Sequence, residues 1–392
     1  MIRGPALAVR LSPLALAVAG GIAFAYLARL VIMFAAHDWL IDASGHPIAM
    51  DFLSFWSAGK LALAGHASAA YDWPVMHVLQ RQLMGHDVAG FYGWAYPPLF
   101  LCVAILLALM PYAMSFLVWT IATLALYAAL MARIARDRGA ALLACAAPAA
   151  LACAMVGQNG FLSAALIAGV LLQLEARPLL AGLLLGLVTY KPHFGLLFPI
   201  ALIFGGYWRT FFAAAATTLA ILVLSWLITP DSLTAFVAHM SNMSANFLTE
   251  GTAGFYKQQS LYGLLRMLGI GDHPAFAAQG LLLLAMAGFV AWLWRSGESL
   301  ALKSAGLCTA ALLATPYLYF YDFPILSVAI AFLWRARPFS RGETILLIAS
   351  QLVMAAFMVV KAPMGFGGAL LVLIVIAGRL PGFKAALQPR PA

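Results

Sequence analysis

The stretch PIAMDFLSFWSAGKLALAG, Pro47 to Gly65, sets one carboxylate, Asp51, directly ahead of an apolar and aromatic run. Two kinds of chemistry want a short acid there. As a helix N-cap it accepts backbone N–H groups and complements the positive end of the helix dipole. As a general base held where membrane meets water, it takes a proton from a hydroxyl of a lipid-borne or soluble acceptor. The local sequence leaves both open. Lys191, in GLVTYKPHFGLLFP, stands between two apolar halves, and Pro192 behind it cannot continue a regular helix. A lone lysine at that depth is costly unless it snorkels to the interface as an anchor or meets an anion such as a phosphate. Gln158 and Asn159, in VGQNGF, offer uncharged hydrogen-bonding groups or simply make a polar turn. Arg29, inside an apolar run, pairs with an acid, reaches the interface or meets a substrate anion.

Other chemistries find no support. The histidines His37, His46, His66, His77 and His86 lack HExxH or any compact ligand spacing, so no metal is expected. Neither a P-loop nor a GxGxxG after a strand is present, so no nucleotide-driven mechanism and no cofactor is expected. Cys102, Cys145, Cys153 and Cys308 all lie inside apolar stretches and read as small buried hydrophobes.

The elements that must position these residues follow from composition. The chain of 392 residues is 65% hydrophobic and 9% charged, too apolar for a water-soluble globule of ordinary composition. Apolar runs of about 18 residues or more recur from end to end, each long enough to cross a bilayer core as a helix. The expected fold is an all-α polytopic membrane protein of one domain, residues 1–392. It has a first span at 14–36, a loop at 37–96 carrying interfacial helices, further spans through 97–379 and a tail at 380–392. The bundle should hold roughly 10–12 transmembrane helices. Arg3 and Arg10 ahead of the first run resemble a signal peptide, but the run is longer than a usual h-region and reads as an uncleaved span.

The net charge of +9 does not point to nucleic acid. Lys and Arg sit in short clusters between apolar runs, at Arg133–Arg138, Arg335–Arg341 and from Arg379 onward, which is the positive-inside pattern. With these inside, the opposite ends face outward: VGQNG, YKPH, the long loop Thr229 to His273, TPYLYFYDFP and Lys361 to Gly368. The loop 37–96 is then extracytoplasmic, and it holds five of the eight histidines and five of the thirteen acids. One conflict arises. Counting Pro98 to Met110 and Tyr112 to Met131 as two crossings puts the Arg133 cluster outside, so the first, of about 13 apolar residues, is expected to be a partial or re-entrant helix.

In order along the chain, Asp51 with SAGKLALAG and AAYD, then FYGWAYPPLF, GQNGFLSAALIAG, RPLLAGLLLGLVTYKPHFGLLFPIALIFGGYWR, QQSLYGLLR and TPYLYFYDFPIL, resemble glycosyltransferase family 87, the DUF2029 group. The resemblance spans about Asp51 to Asp322. It implies a GT-C-like fold and a polyprenyl-phosphate sugar as donor. It also implies transfer at the extracytoplasmic face; better-known members are mannosyltransferases acting on lipid-linked glycans. By resemblance Asp51 matches the loop acid taken as catalytic base, Lys191 the lysine of a KP motif and Gln158 a GQ motif. Gln259 and Ser260 fall in an Asn-Gln-Ser-Leu pattern, here Gln-Gln-Ser-Leu. Where the mannosyltransferases carry Ser-Pro followed by Trp and His, this chain has Tyr321 and Asp322 in place of the histidine.

The expectation is therefore an integral membrane hexosyltransferase of the cell inner (plasma) membrane. Asp51 is its general base, with Lys191, Arg29 and Gln158 toward the donor phosphate and Gln259, Ser260, Tyr321 and Asp322 toward the substrates. Its partners are a polyprenyl-phosphate sugar, a lipid-linked or envelope glycan acceptor and membrane lipids. The rival is a transporter or flippase, which also wants isolated ions and broken helices. Against it, no internal repeat is visible and the loop 37–96 has no counterpart in the second half.

Overall fold

The computed structural model describes residues 11–88, 90, 92–244, 248–252 and 254–380. The basic residues of the two termini, Arg3, Arg10, Lys384 and Arg390, lie outside the described residues, as does the tail from 381 on. Among the described residues four helices are long and apolar enough to cross a membrane alone: Pro13–Ala35, Tyr112–Ala135, Trp208–Ile228 and Asp272–Arg295. The first matches the expected span to within one residue at each end. A bent pair, Gly139–Cys145 and Pro148–Val156, turns by 64°, because Pro148 has no N–H to continue the first helix and holds Ala147 extended. Six shorter apolar helices, of 10–17 residues, account for much of the rest. This is a multi-pass, all-helical membrane protein with many of its spans short or broken.

The breaks have a common geometry. Helix Gly160–Gln173 starts just after VGQN, Pro178–Leu187 ends in a tight turn at Tyr190, and Pro192–Gly195 starts after Lys191. Leu300–Ala314 ends before TPYLYFYD, Pro324–Ala336 begins after it, and Met364–Arg379 begins after the turn at Lys361. At the other ends of these helices stand the basic residues. Arg335 is close enough to Arg136 and to Glu175 to feel the charge of each. Arg379 holds the Glu343 carboxylate through Nε at 2.8 Å, and Arg337 holds it from the other side. The first helix runs the same way: the Leu11 N–H donates to Asp137 at the arginine end, while Trp39, past its far end, donates to the Met155 carbonyl beside VGQNG. One end of the bundle thus gathers polar turns and the other gathers arginines.

The conflict at 98–131 resolves by length. Leu101–Ala108 has 8 residues, about 12 Å of helix, far short of a hydrocarbon core of about 30 Å. The Trp56 indole donates to the Met110 carbonyl and the Tyr112 ring lies 5.6 Å from Phe52, so the chain re-emerges beside the segment where it went in. Tyr112–Ala135 then makes the full passage to the arginine end.

The helix Phe52–Leu63 differs from its expectation. The loop 37–96 is expected to carry interfacial helices, but in this one Phe52, Leu53, Phe55, Trp56 and Ala58 are all buried. It is wedged against Leu101–Ala108 so closely that a Cβ at Gly59 would meet the Ala104 carbonyl oxygen. Edge-to-face rings at 5.3–5.9 Å (Phe52 on Phe116, Phe55 on Tyr96 and on Trp119) fix it, each such pair adding about 0.5–1.5 kcal/mol beyond area burial. Trp73–Met84 fits the interfacial description better, with Met76, Gln80 and Met84 inward and Val75 and Val78 exposed.

Candidate active site

Asp51 occupies the N-cap position of Phe52–Leu63, yet its side chain makes no capping hydrogen bond. Its Oδ2 instead accepts from the Gln158 amide, Nε2, at 3.2 Å. Gln158 is in turn held on its other side: Oε1 accepts from the Tyr96 hydroxyl and from the Asn159 N–H, both at 3.2 Å. The turn that carries Gln158 depends on two glycines. Gly157 has φ +67°, the left-handed region that costs a non-glycine residue strain, and a Cβ there would strike Phe116 and Phe52. Gly160 opens the next helix directly against the Tyr321 backbone. Asp51 is recessed without being sealed: protein surrounds it, yet it keeps a partly accessible surface. Loss of water pushes its carboxyl above the ordinary range. The Gln158 hydrogen bond and the charges of Lys257 and Lys191 oppose that shift, and the charge of Asp322 adds to it.

Asp322 and Lys191 form the second feature. The Lys191 Nζ donates to Asp322 Oδ1 at 2.6 Å, with both side chains buried. Asp322 Oδ2 accepts from the Tyr319 N–H at 3.2 Å. The Lys191 ammonium also lies over the rings of Tyr321, at 5.3 Å, and Phe194, at 5.6 Å, a position favourable for a cation. The bend that aims it comes from its neighbour: Pro192 keeps Lys191 out of the helical region, at φ −130° and ψ 76°. Asp322, expected to face the substrates, is paired with Lys191 in the structure.

The QQSL segment is used for fastening. Gln259 donates through Nε2 to the Tyr256 carbonyl and accepts through Oε1 from the Gly365 N–H, both at 2.8 Å. The Ser260 Oγ caps Leu261–Met267 by accepting from the Gly263 N–H, and donates to the Pro316 carbonyl. An antiparallel bridge joins Gln258 to Tyr319. These polar atoms are committed to backbone, so Gln259 and Ser260, expected to face substrate, instead tie 256–260 to the turns at 316–319 and 365. Arg29 is not part of the constellation: it is exposed on the first helix and, among the described residues, forms no ion pair.

The structure therefore brings together Asp51, Gln158, Lys191, Tyr321 and Asp322, and leaves Arg29 out. Sequence reasoning missed Tyr96, although it lies in the noted FYGWAYPPLF, and it missed Lys257, whose only signal was a lone cation just ahead of QQSL. Asn159 is fully buried with the Tyr96 hydroxyl as the polar neighbour of its amide, and a buried amide costs free energy where its hydrogen bonds are left incomplete. Among the described residues no three His, Cys, Asp or Glu side chains come together as a metal site.

The sequence profile of glycosyltransferase family 87 matches residues 94–316, more than half of the 392-residue chain. The chain belongs to glycosyltransferase family 87. It is a membrane glycosyltransferase, which sets aside the transporter reading. Within this family 87 chain the matched segment contains Gln158, Lys191, Gln259 and Ser260; Asp51 lies ahead of it and Asp322 behind it. Comparison with curated proteins and with solved structures yields no match.

Proposed function

We propose that this family 87 enzyme transfers a hexose from a polyprenyl-phosphate donor to a lipid-linked or cell-envelope glycan, with Asp51 as the general base. The observation that carries the reading is the carboxylate of Asp51: it stands at an N-cap position, leaves the cap unmade and is oriented by the Gln158 amide instead. A structural acid would spend its oxygens on the helix N–H groups. An acid aimed by an amide that is itself aimed by Tyr96 is held ready for a proton. In the reaction the acceptor hydroxyl gives its proton to Asp51 and its oxygen attacks the anomeric carbon. The bond from that carbon to the phosphate oxygen breaks, and the phosphate leaves with the electron pair. A single displacement of this kind inverts the anomeric centre.

Lys191 is the cation buried beside the site, and Tyr321 presents an aromatic face to it. For Lys191 to meet the donor phosphate, that anion must take the place of Asp322, whose carboxylate is then free to accept from a sugar hydroxyl. The positions of the arginine clusters favour the site on the extracytoplasmic face, and the proposed membrane is the plasma membrane. The test is sugar transfer by the purified protein from a panel of polyprenyl-phosphate hexoses to glycolipid acceptors, with Asp51→Asn melted and assayed in one preparation. Transfer should fall about 10²–10⁴-fold while melting changes little, since the side chain makes no capping hydrogen bond that could be lost and the Asn amide oxygen can still accept from Gln158. Near-normal transfer by Asp51→Asn would remove the base, and transfer only from nucleotide sugars would remove the donor class.

A further inference from the structure

The charges inside the site leave nothing over for an incoming anion. Lys191 is already neutralised by Asp322 at 2.6 Å, so a donor phosphate arriving from the membrane meets a balanced pair and a second carboxylate at Asp51. Some other cation has to receive it first. Two exposed lysines stand where that cation is needed. The ammonium groups of Lys257 and Lys361 both lie over the ring of Tyr256, at 6.0 and 5.8 Å. Neither is within ion-pair distance of a carboxylate among the described residues. Their placement is fixed by the fastening described above, because Gln259 joins the Tyr256 carbonyl on one side to the Gly365 N–H on the other. The pair is also continuous with the chemistry: Lys257 is near enough to Asp51 for its positive charge to favour the ionised carboxyl.

A second, independent observation lies next to Lys361. Met358, Val359 and Val360 are 50%, 87% and 46% exposed at the turn between Arg341–Ala356 and Met364–Arg379. Three consecutive apolar residues at the tip of a turn, followed at once by a lysine, match the gradient of a membrane surface: hydrocarbon, then headgroup phosphate. We propose that Met358–Val360, Lys361, Tyr256 and Lys257 form an access lip for the donor, the tip lying along the isoprenoid chain and the two lysines receiving its phosphate before the sugar reaches Asp51. This rests on the polyprenyl-phosphate reading above and adds the place where that lipid is taken up.

The experiment measures binding of decaprenyl phosphate to the detergent-solubilised full chain, with decaprenol, phosphatidylglycerol and inorganic phosphate as parallel probes, for the wild type, Lys257→Gln, Lys361→Gln and the double variant. The wild type should prefer decaprenyl phosphate over the other three. Each single variant should weaken that binding about three- to tenfold, as exposed charge contacts do, and the double variant should lose the preference over decaprenol together with the salt dependence. Val359→Asn should weaken decaprenyl phosphate and decaprenol alike, and Lys257→Arg should restore most of the preference. Wild-type binding with no preference over decaprenol would overturn the donor class and the lip together. A wild-type preference that survives in the double variant would overturn the lip alone, and equal binding of phosphatidylglycerol would make the lysines a general headgroup patch.

Discussion

At the residue scale, the types of the central side chains were legible and their pairings were not. Asp51, Gln158, Lys191 and Asp322 stand out in a chain that is 9% charged, but Asp51 finds Gln158 across 107 positions and Lys191 finds Asp322 across 131. No local pattern encodes contacts at that separation. The same is true of Gln259 and Ser260, whose type suggested substrate contact and whose neighbours turned out to be backbone. Two predictions follow from the pairings. Burial raises the Asp51 carboxyl, and a general base works only when deprotonated. The acid limb of kcat/KM should therefore fall at a pH above the ordinary carboxylate value of about 4, and be absent from the residual activity of Asp51→Asn. An unchanged limb in Asp51→Asn would assign it to another group. The buried Lys191–Asp322 pair should behave differently. Removing one partner strands a charge, so Lys191→Met or Asp322→Leu alone should cost about 3–5 kcal/mol of stability, while the double variant should recover most of it. Additive losses in thermal melting would mean that the pair is not coupled.

At the element scale, the apolar runs located the helices, and the glycines and prolines near the site located the breaks. What the runs did not convey is how closely two elements approach, because that depends on which residue faces which. Phe52–Leu63 looked like an interfacial helix because its aromatics are large and its serines and lysine polar. Gly59, by letting the Ala104 backbone come within contact, turns it into a buried wedge. Gly160 has the same task at the site. A Cβ there would collide with the Tyr321 carbonyl oxygen, so Gly160→Ala must push the VGQNG turn away from TPYLYFYD and separate the Asp51–Gln158 pair from Lys191–Asp322. Gly160→Ala should lose either folded protein or at least about tenfold in transfer, because small misplacements of reacting groups are expensive. Gly288→Ala, inside Asp272–Arg295 with nothing within 4 Å of the added Cβ, should be tolerated. Normal transfer by Gly160→Ala would mean that the two turns need no such contact.

At the scale of the whole molecule, the distribution of arginines carried more information than any single motif. It set Arg133–Arg138, Arg335–Arg341 and Arg379 against VGQNG, YKPH and TPYLYFYDFP, and the structure places these groups at opposite ends of the same helices. The span count was harder to read, because crossings made of two short helices, such as Gly139–Cys145 with Pro148–Val156, look in sequence like one run with a proline in it. The distance between the ends makes orientation testable. Tyr112–Ala135 has 24 residues, about 36 Å at the usual helical rise, so a thiol beside Asp51 and a thiol beside Arg136 sit at opposite membrane surfaces whichever way the protein is inserted. With the four native cysteines replaced, Ser44→Cys and Arg138→Cys, both at exposed positions, should react on opposite sides. The positive-inside bias decides which: basic clusters are retained inside, so Ser44→Cys should take an impermeant maleimide in intact cells and Arg138→Cys only after lysis. The reverse order would keep the fold and the pairings but move the site to the cytoplasmic face, where the donor would have to be a lipid displayed on that leaflet. Labelling of both in intact cells would mean that Tyr112–Ala135 does not cross.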